Sequence, residues 1–170
     1  MSKLFIAYGS NLNLEQMKYR CPDSTVVGSG RLENYELAFR SPGGGRGVAN
    51  IEPLERSSVP VCLWKVPAAD ERQLDIYEGF PWLYKKVLLP VRVDAVLGLA
   101  CKDDQNAILW AWAYVMVGEP RLAPPTRGYL ETIIEGYHAF GFKLDALLQA
   151  ARDAGPLAYG LGAYKLSKLF

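Results

Sequence analysis

The chain opens on an apolar run, Leu4, Phe5, Ile6 and Ala7, that gives way to Gly9, Ser10 and Asn11. A continuous run ahead of turn residues predicts a short buried strand over residues 3–8, since a strand covered on both faces has no need to alternate. Gly tolerates positive φ and Asn hydrogen-bonds its own backbone, so residues 9–11 read as a turn. A short helix is predicted next, with Asn13 as N-cap, Gln16 at the third helical position, Leu14 and Met17 facing inward, and Pro22 ending it. Alternation around Leu37 and Phe39 predicts a strand over residues 25–40. Two more strands are predicted over residues 48–52 and 59–66, with the polar stretch between them read as a break.

The period then changes. Residues 67–77 predict a helix that starts at Pro67, and Gly79 and Pro81 bring it to a stop. Long strands are predicted over residues 84–93 and 108–117, the second with Trp110 and Trp112 on one face and Ala111 and Ala113 on the other. Thr126 is a suitable N-cap for a helix over residues 127–140, where Tyr129, Ile133 and Tyr137 recur every four positions beside Leu130 and Ile134. A last helix is predicted over residues 145–153 through Leu147, Leu148 and Ala151. The tail from Leu157 to Phe170 is rich in Leu and Tyr, so it is expected to pack on its own domain or on a second subunit, which would make a homodimer.

Composition narrows the classes. At 170 residues, with 50% hydrophobic and 22% charged, the chain suits a single domain over residues 1–170 and is too apolar to be disordered. Nineteen Lys+Arg against eighteen Asp+Glu leave a net charge of +1, which gives no bulk field for nucleic acid or an anionic membrane. No apolar stretch approaches a membrane span, and the first residues do not form a secretory signal. The three cysteines, Cys21, Cys62 and Cys101, are widely spaced, with no CxxC pair and one histidine, His138. That pattern fits free thiols in a reducing, cytoplasmic compartment, and no metal or organic cofactor is expected.

The nucleophile sets are thin. A Ser-His-Asp or Cys-His arrangement would have to recruit His138, which the helical pattern puts near a polar face, and Cys62 sits inside a strand run. The stretch from Ser41 to Gly47 lacks the phosphate-loop pattern and reads as a hairpin turn, although Arg46 could contact an anion. Two features hold more chemistry. Backbone N–H groups in the turn of Gly9, Ser10 and Asn11 can form an anion pocket without any basic side chain. Glu78, followed by Phe80, Pro81, Trp82 and Tyr84, reads either as an exposed helix-terminal glutamate or as a half-dry carboxylate whose pKa is raised toward general-base work. Asp75, one turn earlier, reads as a surface charge or a helix-to-loop hydrogen bond.

Tyr8 to Leu12 directly after the first strand, Leu74 to Gly79 in the middle, and Pro125 to Tyr129 with Gly136 beyond them resemble the gamma-glutamylcyclotransferase family. The stretches Arg31 to Phe39, Val48 to Ile51 and Val61 to Val66 follow that family's order of strands, and the resemblance covers about residues 3–150. It implies an α+β fold, a small mixed β-barrel with flanking helices. It also implies an enzyme that cyclises a γ-glutamyl group to 5-oxoproline and releases an amine or amino acid, with no cofactor. The implied catalytic acid/base is Glu78. The implied substrate-binding residues are Tyr8, Gly9, Ser10, Asn11 and Leu12, with Tyr84 and Tyr129. A binding module for a small carboxylate or peptide, and an amide hydrolase, are the alternatives on the same residues. The chain departs from the family pattern at Val61-Cys62-Leu63-Trp64, where relatives place a glycine, at Tyr77, in the loop over residues 43–47, and in the tail.

Overall fold

The computed structural model describes residues 2–41, 43–96 and 107–156, so Cys101 and the tail from residue 157 lie outside the described residues. The first apolar run forms β1 (Lys3–Ala7). It pairs antiparallel with β3 (Val48–Val66) and parallel with β5 (Ile108–Met116). The remaining ladders are antiparallel: β5 with β4 (Tyr84–Val96), β4 with β2 (Thr25–Ser41), and β2 with β3. The order β3-β1-β5-β4-β2 therefore returns to β3, and five strands close into the mixed barrel that the resemblance implies. Closure leaves these strands no open edge. The two-residue β6 (Arg121–Leu122) lies beside the end of β2.

The predicted break in β3 is a bulge within one strand, not a gap between two. Residues 48–66 form one strand, paired with β2 from Arg40↔Val48 to Thr25↔Lys65. The polar stretch only marks where this hairpin runs into solvent, and an irregularity between Glu33 and Tyr35 accommodates it, with Asn34 and Arg56 at positive φ. The ladder lapses over residues 54–57, where the register steps from Tyr35↔Pro53 to Glu33↔Ser58, and resumes on either side as a bulge does. The two tryptophans also part: Trp112 is buried against Phe5, ring centroids 4.6 Å apart, whereas Trp110 is exposed.

Among the described residues, four α-helices surround the barrel. In α1 (Leu14–Arg20) the Asn13 side chain accepts the Gln16 N–H at 3.0 Å, as predicted. Met17 is buried there, but Leu14 is exposed, because a seven-residue helix turns only one narrow stripe inward. α2 (Ala68–Glu78) ends on Gly79 at φ 68°, a left-handed cap that a side chain would strain. Buried Asp70 on α2 accepts from the Asp23 N–H at 3.1 Å and the Ser24 hydroxyl at 2.7 Å, joining this helix to the turn after α1. α3 (Arg127–Ala139) starts on Thr126, whose hydroxyl accepts the Tyr129 N–H at 3.2 Å. Gly136 of α3 lies so close to Leu12 that an added Cβ would stand 2.5 Å from the leucine Cβ. α4 (Asp145–Asp153) buries Leu147 and Ala151. Among the described residues no helix is long and apolar enough to cross a membrane.

Candidate active site

β1 ends at Ala7, and the chain turns through a single 3-10 turn, Ser10–Leu12, before α1 begins. This turn, the C-terminus of α2, the start of β4 and the first turn of α3 converge on a hollow of about 40 Å³. Tyr8, Gly9, Ser10, Asn11, Glu78, Tyr84 and Tyr129 all line it, as do Tyr114 and Ala49. An outer cavity of about 530 Å³ shares Ser10, Glu78, Tyr84 and Tyr129, and is walled by Gly43, Gly45 and Arg46 of the glycine loop with Tyr77 and Leu83.

Of the eight residues the resemblance singles out, seven meet at this hollow. Leu12 does not. Its side chain is fully buried under Gly136, and its N–H donates to the Gly9 carbonyl at 2.9 Å to close the turn. Asn13 N–H is likewise taken by the Ser10 carbonyl at 3.0 Å. Among the described residues, the N–H groups of Gly9, Ser10 and Asn11 donate to no protein acceptor, whereas that of Leu12 is spent within the turn. The α1 terminus is capped by Asn13, which makes the loop and not the helix end the polar wall.

Glu78 is the half-dry carboxylate of its second sequence reading rather than the exposed helix-end glutamate of its first. It is partly shielded, and one carboxylate oxygen accepts from Asn11 Nδ2 at 2.9 Å. Burial pushes its carboxyl above the ordinary range, against the opposing pull of the Asn11 hydrogen bond and the Arg20 charge. Of the neighbouring rings in sequence only Tyr84 contributes: Trp82 is 84% exposed and Phe80 lies partly in solvent, while Tyr8, Tyr114 and Tyr129 complete the dry wall. Burial pushes the Tyr129 hydroxyl up to about 12, and that oxygen accepts the Ala49 N–H at 3.2 Å. The buried Tyr8 hydroxyl, also raised by burial, donates to the Tyr114 carbonyl at 2.6 Å.

Three partners escaped the sequence reading. Arg20 donates to Asn11 Oδ1 at 2.6 Å and Ser10 Oγ at 3.3 Å, and its guanidinium lies 3.8 Å over the Tyr77 ring. Tyr114 donates to Asp75 Oδ1 at 2.6 Å. Lys86 of β4 sits between Asp75, at 2.6 Å, and Glu71, at 2.7 Å, so Asp75 binds its helix to the barrel and is no surface charge. Sequence spacing holds no signal for these, because each contact joins different elements, nine or more positions apart. The rejected candidates fall as expected: His138 is exposed, and Cys62 is fully buried. Among the described residues no group of three or more His, Cys, Asp or Glu is placed to hold a metal ion.

Comparison with known proteins agrees with this picture. A family model described as "Gamma-glutamyl cyclotransferase, AIG2-like" matches residues 5–132. The Gamma-glutamylcyclotransferase of Bos taurus is 28% identical over 111 residues, which span 61% of this chain and 59% of that protein. A solved gamma-glutamyl cyclotransferase superposes with a TM-score of 0.78 at 22% identity, over 99% of this chain and 98% of its own. An uncharacterized protein from Homo sapiens superposes at 0.77 with 23% identity, over 99% and 97%. At such identities the two structures speak to the fold alone, while the family model spans both the turn after β1 and the Glu78 corner. The chain belongs to the gamma-glutamyl cyclotransferase, AIG2-like family.

Proposed function

We propose that this protein is an intramolecular acyl-transfer enzyme that cyclises a γ-glutamyl group to 5-oxoproline and releases the attached amine or amino acid. The observation that carries the reading is the 2.9 Å bond from Asn11 to Glu78, which puts a half-dry carboxylate and three undonated backbone amides on one hollow. The family membership and the bovine relative's name point the same way.

The chemistry asks for these groups. The substrate's α-ammonium gives a proton to the Glu78 carboxylate, and the free amine nitrogen attacks the γ-carbonyl carbon. The carbonyl oxygen becomes an oxyanion, which the N–H groups of Gly9, Ser10 and Asn11 are placed to receive. As the bond to the leaving nitrogen breaks, Glu78 returns its proton to that nitrogen. A second proton passes from the ring nitrogen to the released amine, leaving neutral lactam. Acid–base help of this kind is worth about 10²–10⁴ in rate. The rings of Tyr8, Tyr84 and Tyr129 hold the γ-glutamyl chain curled, which removes entropy from the cyclisation.

The test is a panel of γ-glutamyl amino acids and γ-glutamyl amines incubated with the protein, with 5-oxoproline and free glutamate both measured. 5-Oxoproline is the expected product. Free glutamate without lactam would make the protein an amide hydrolase. Binding without any product would make it a binding module.

A further inference from the structure

Arg20 is the last residue of α1, and a cation there would ordinarily be a solvated helix end. Its guanidinium instead reaches back over the turn after β1. One nitrogen donates to Asn11 Oδ1 at 2.6 Å and to Ser10 Oγ at 3.3 Å; the other donates to the Tyr77 hydroxyl, and the plane stacks on that ring at 3.8 Å. Two of these partners belong to the loop and the third precedes Glu78 on α2. The Asn11 amide is thereby given one orientation: its oxygen must face the cation, so its nitrogen must face Glu78, where it donates at 2.9 Å. We propose that Arg20 is a positioning residue, which acts through Asn11 to hold the Glu78 carboxylate against the loop amides.

Charge makes the same point independently. The titratable and charged groups around Glu78 are Tyr8 at the end of β1, Arg20 and Cys21 at the end of α1, Tyr84 on β4, Tyr114 on β5 and Tyr129 on α3, with Tyr77 and Arg46 on the outer cavity it shares. Tyr8, Tyr84, Tyr114, Tyr129 and Cys21 are all raised, mainly by burial, and are neutral at physiological pH. The Arg20 charge pulls the Glu78 carboxyl down against its desolvation. A guanidinium suits both tasks because its planar fork reaches several acceptors while keeping its charge.

The proposal rests on Glu78 as the proton shuttle, so its test carries a readout that turnover does not supply. The Glu78 carboxyl is titrated by carbon NMR in the wild type, Arg20→Met and Arg20→Lys, beside the pH profile of kcat/KM for 5-oxoproline formation. In Arg20→Met the carboxyl titrates at higher pH, the acid limb of the profile moves up with it, and kcat falls about tenfold or more from lost geometry. Arg20→Lys keeps the charge and loses the fork, so its titration stays near wild type while kcat still falls. An unmoved Glu78 titration in folded Arg20→Met, or a full kcat in Arg20→Lys, overturns the proposal. Should the wild type form no 5-oxoproline, the shuttle reading fails and the NMR titration alone decides whether Arg20 governs this carboxyl.

Discussion

Gly136 is the position where a single methyl group should separate stability from activity. An added Cβ would stand 2.5 Å from Leu12 Cβ, 2.7 Å from its carbonyl carbon and 2.9 Å from its carbonyl oxygen. Two of those atoms are backbone, so no rotamer change relieves the clash. Restoring a contact of about 3.5 Å requires α3 and the turn to separate by roughly 1 Å. Leu12 closes that turn through its bond to Gly9, so the displacement is passed to the three donor amides. Overpacking costs about 1–3 kcal/mol, while alanine in a helix interior regains about 1 kcal/mol over glycine. The net loss in Gly136→Ala is then about 0–2 kcal/mol, or a fall in Tm of up to roughly 8 °C for a chain of this size. A misplacement of about 1 Å at the reacting groups is worth about 10²-fold in rate. Gly128→Ala on the same helix, where a Cβ meets nothing within 4 Å, is the control and should keep full activity. The assay is 5-oxoproline formation beside thermal unfolding of both variants. A Gly136→Ala protein as active and as stable as Gly128→Ala would refute the reasoning.

Other outcomes follow from the same contacts. Burial raises the Glu78 carboxyl, and a general base must be ionised, so kcat/KM should rise with pH through a limb above the ordinary glutamate range. Arg40 holds Glu52 through two bonds of 2.6 Å and lowers its carboxyl. The stability from this pair is present above the unfolded glutamate pKa and lost as pH falls through the lowered folded value. Arg40→Met should therefore cost about 1–2 kcal/mol in urea unfolding near neutral pH, and the difference from wild type should vanish in acid. Lys86→Met leaves Asp75 without its cation and Glu71 with Lys3 alone, and should cost about 1–3 kcal/mol by the same measurement. Burial pushes the Cys21 thiol up to about 12 and raises Cys62 further. Neither should be labelled by a maleimide at neutral pH until the protein unfolds, as mapped by mass spectrometry.

What the sequence made legible was local. The caps at Asn13, Gly79 and Thr126 work through residues one to four positions away, and each stands where the pattern puts it. The apolar run of β1 was likewise visible, because burial on both faces needs no partner to be named. Barrel closure was not visible in periodicity. It depends on β2 and β3 pairing on both sides of a polar bulge, whose composition says exposure and nothing about the ladder resuming beyond it. The site divides in the same way. Motifs brought Glu78 and the loop to attention, and the cavity gathers all of their residues except Leu12, whose N–H and side chain are spent on holding the turn. The dryness around Glu78 was expected from Phe80, Trp82 and Tyr84; Tyr84 on β4 does supply it, together with tyrosines at the end of β1 and on β5 and α3. Arg20 could not be seen at all, since a last-turn cation is the commonest of helix features and only the approach of α1 to α2 turns it inward.

The central claim concerns one carboxylate. Glu78→Gln keeps the side-chain shape and a hydrogen-bond acceptor for Asn11 but can no longer take the α-ammonium proton. Because burial disfavours the charge, the variant should be at least as stable as wild type at neutral pH, with its advantage shrinking as acid protonates the wild-type glutamate. Its kcat for 5-oxoproline formation should fall about 10²–10⁴-fold while calorimetry still detects substrate binding. Wild-type turnover in folded Glu78→Gln would contradict the account.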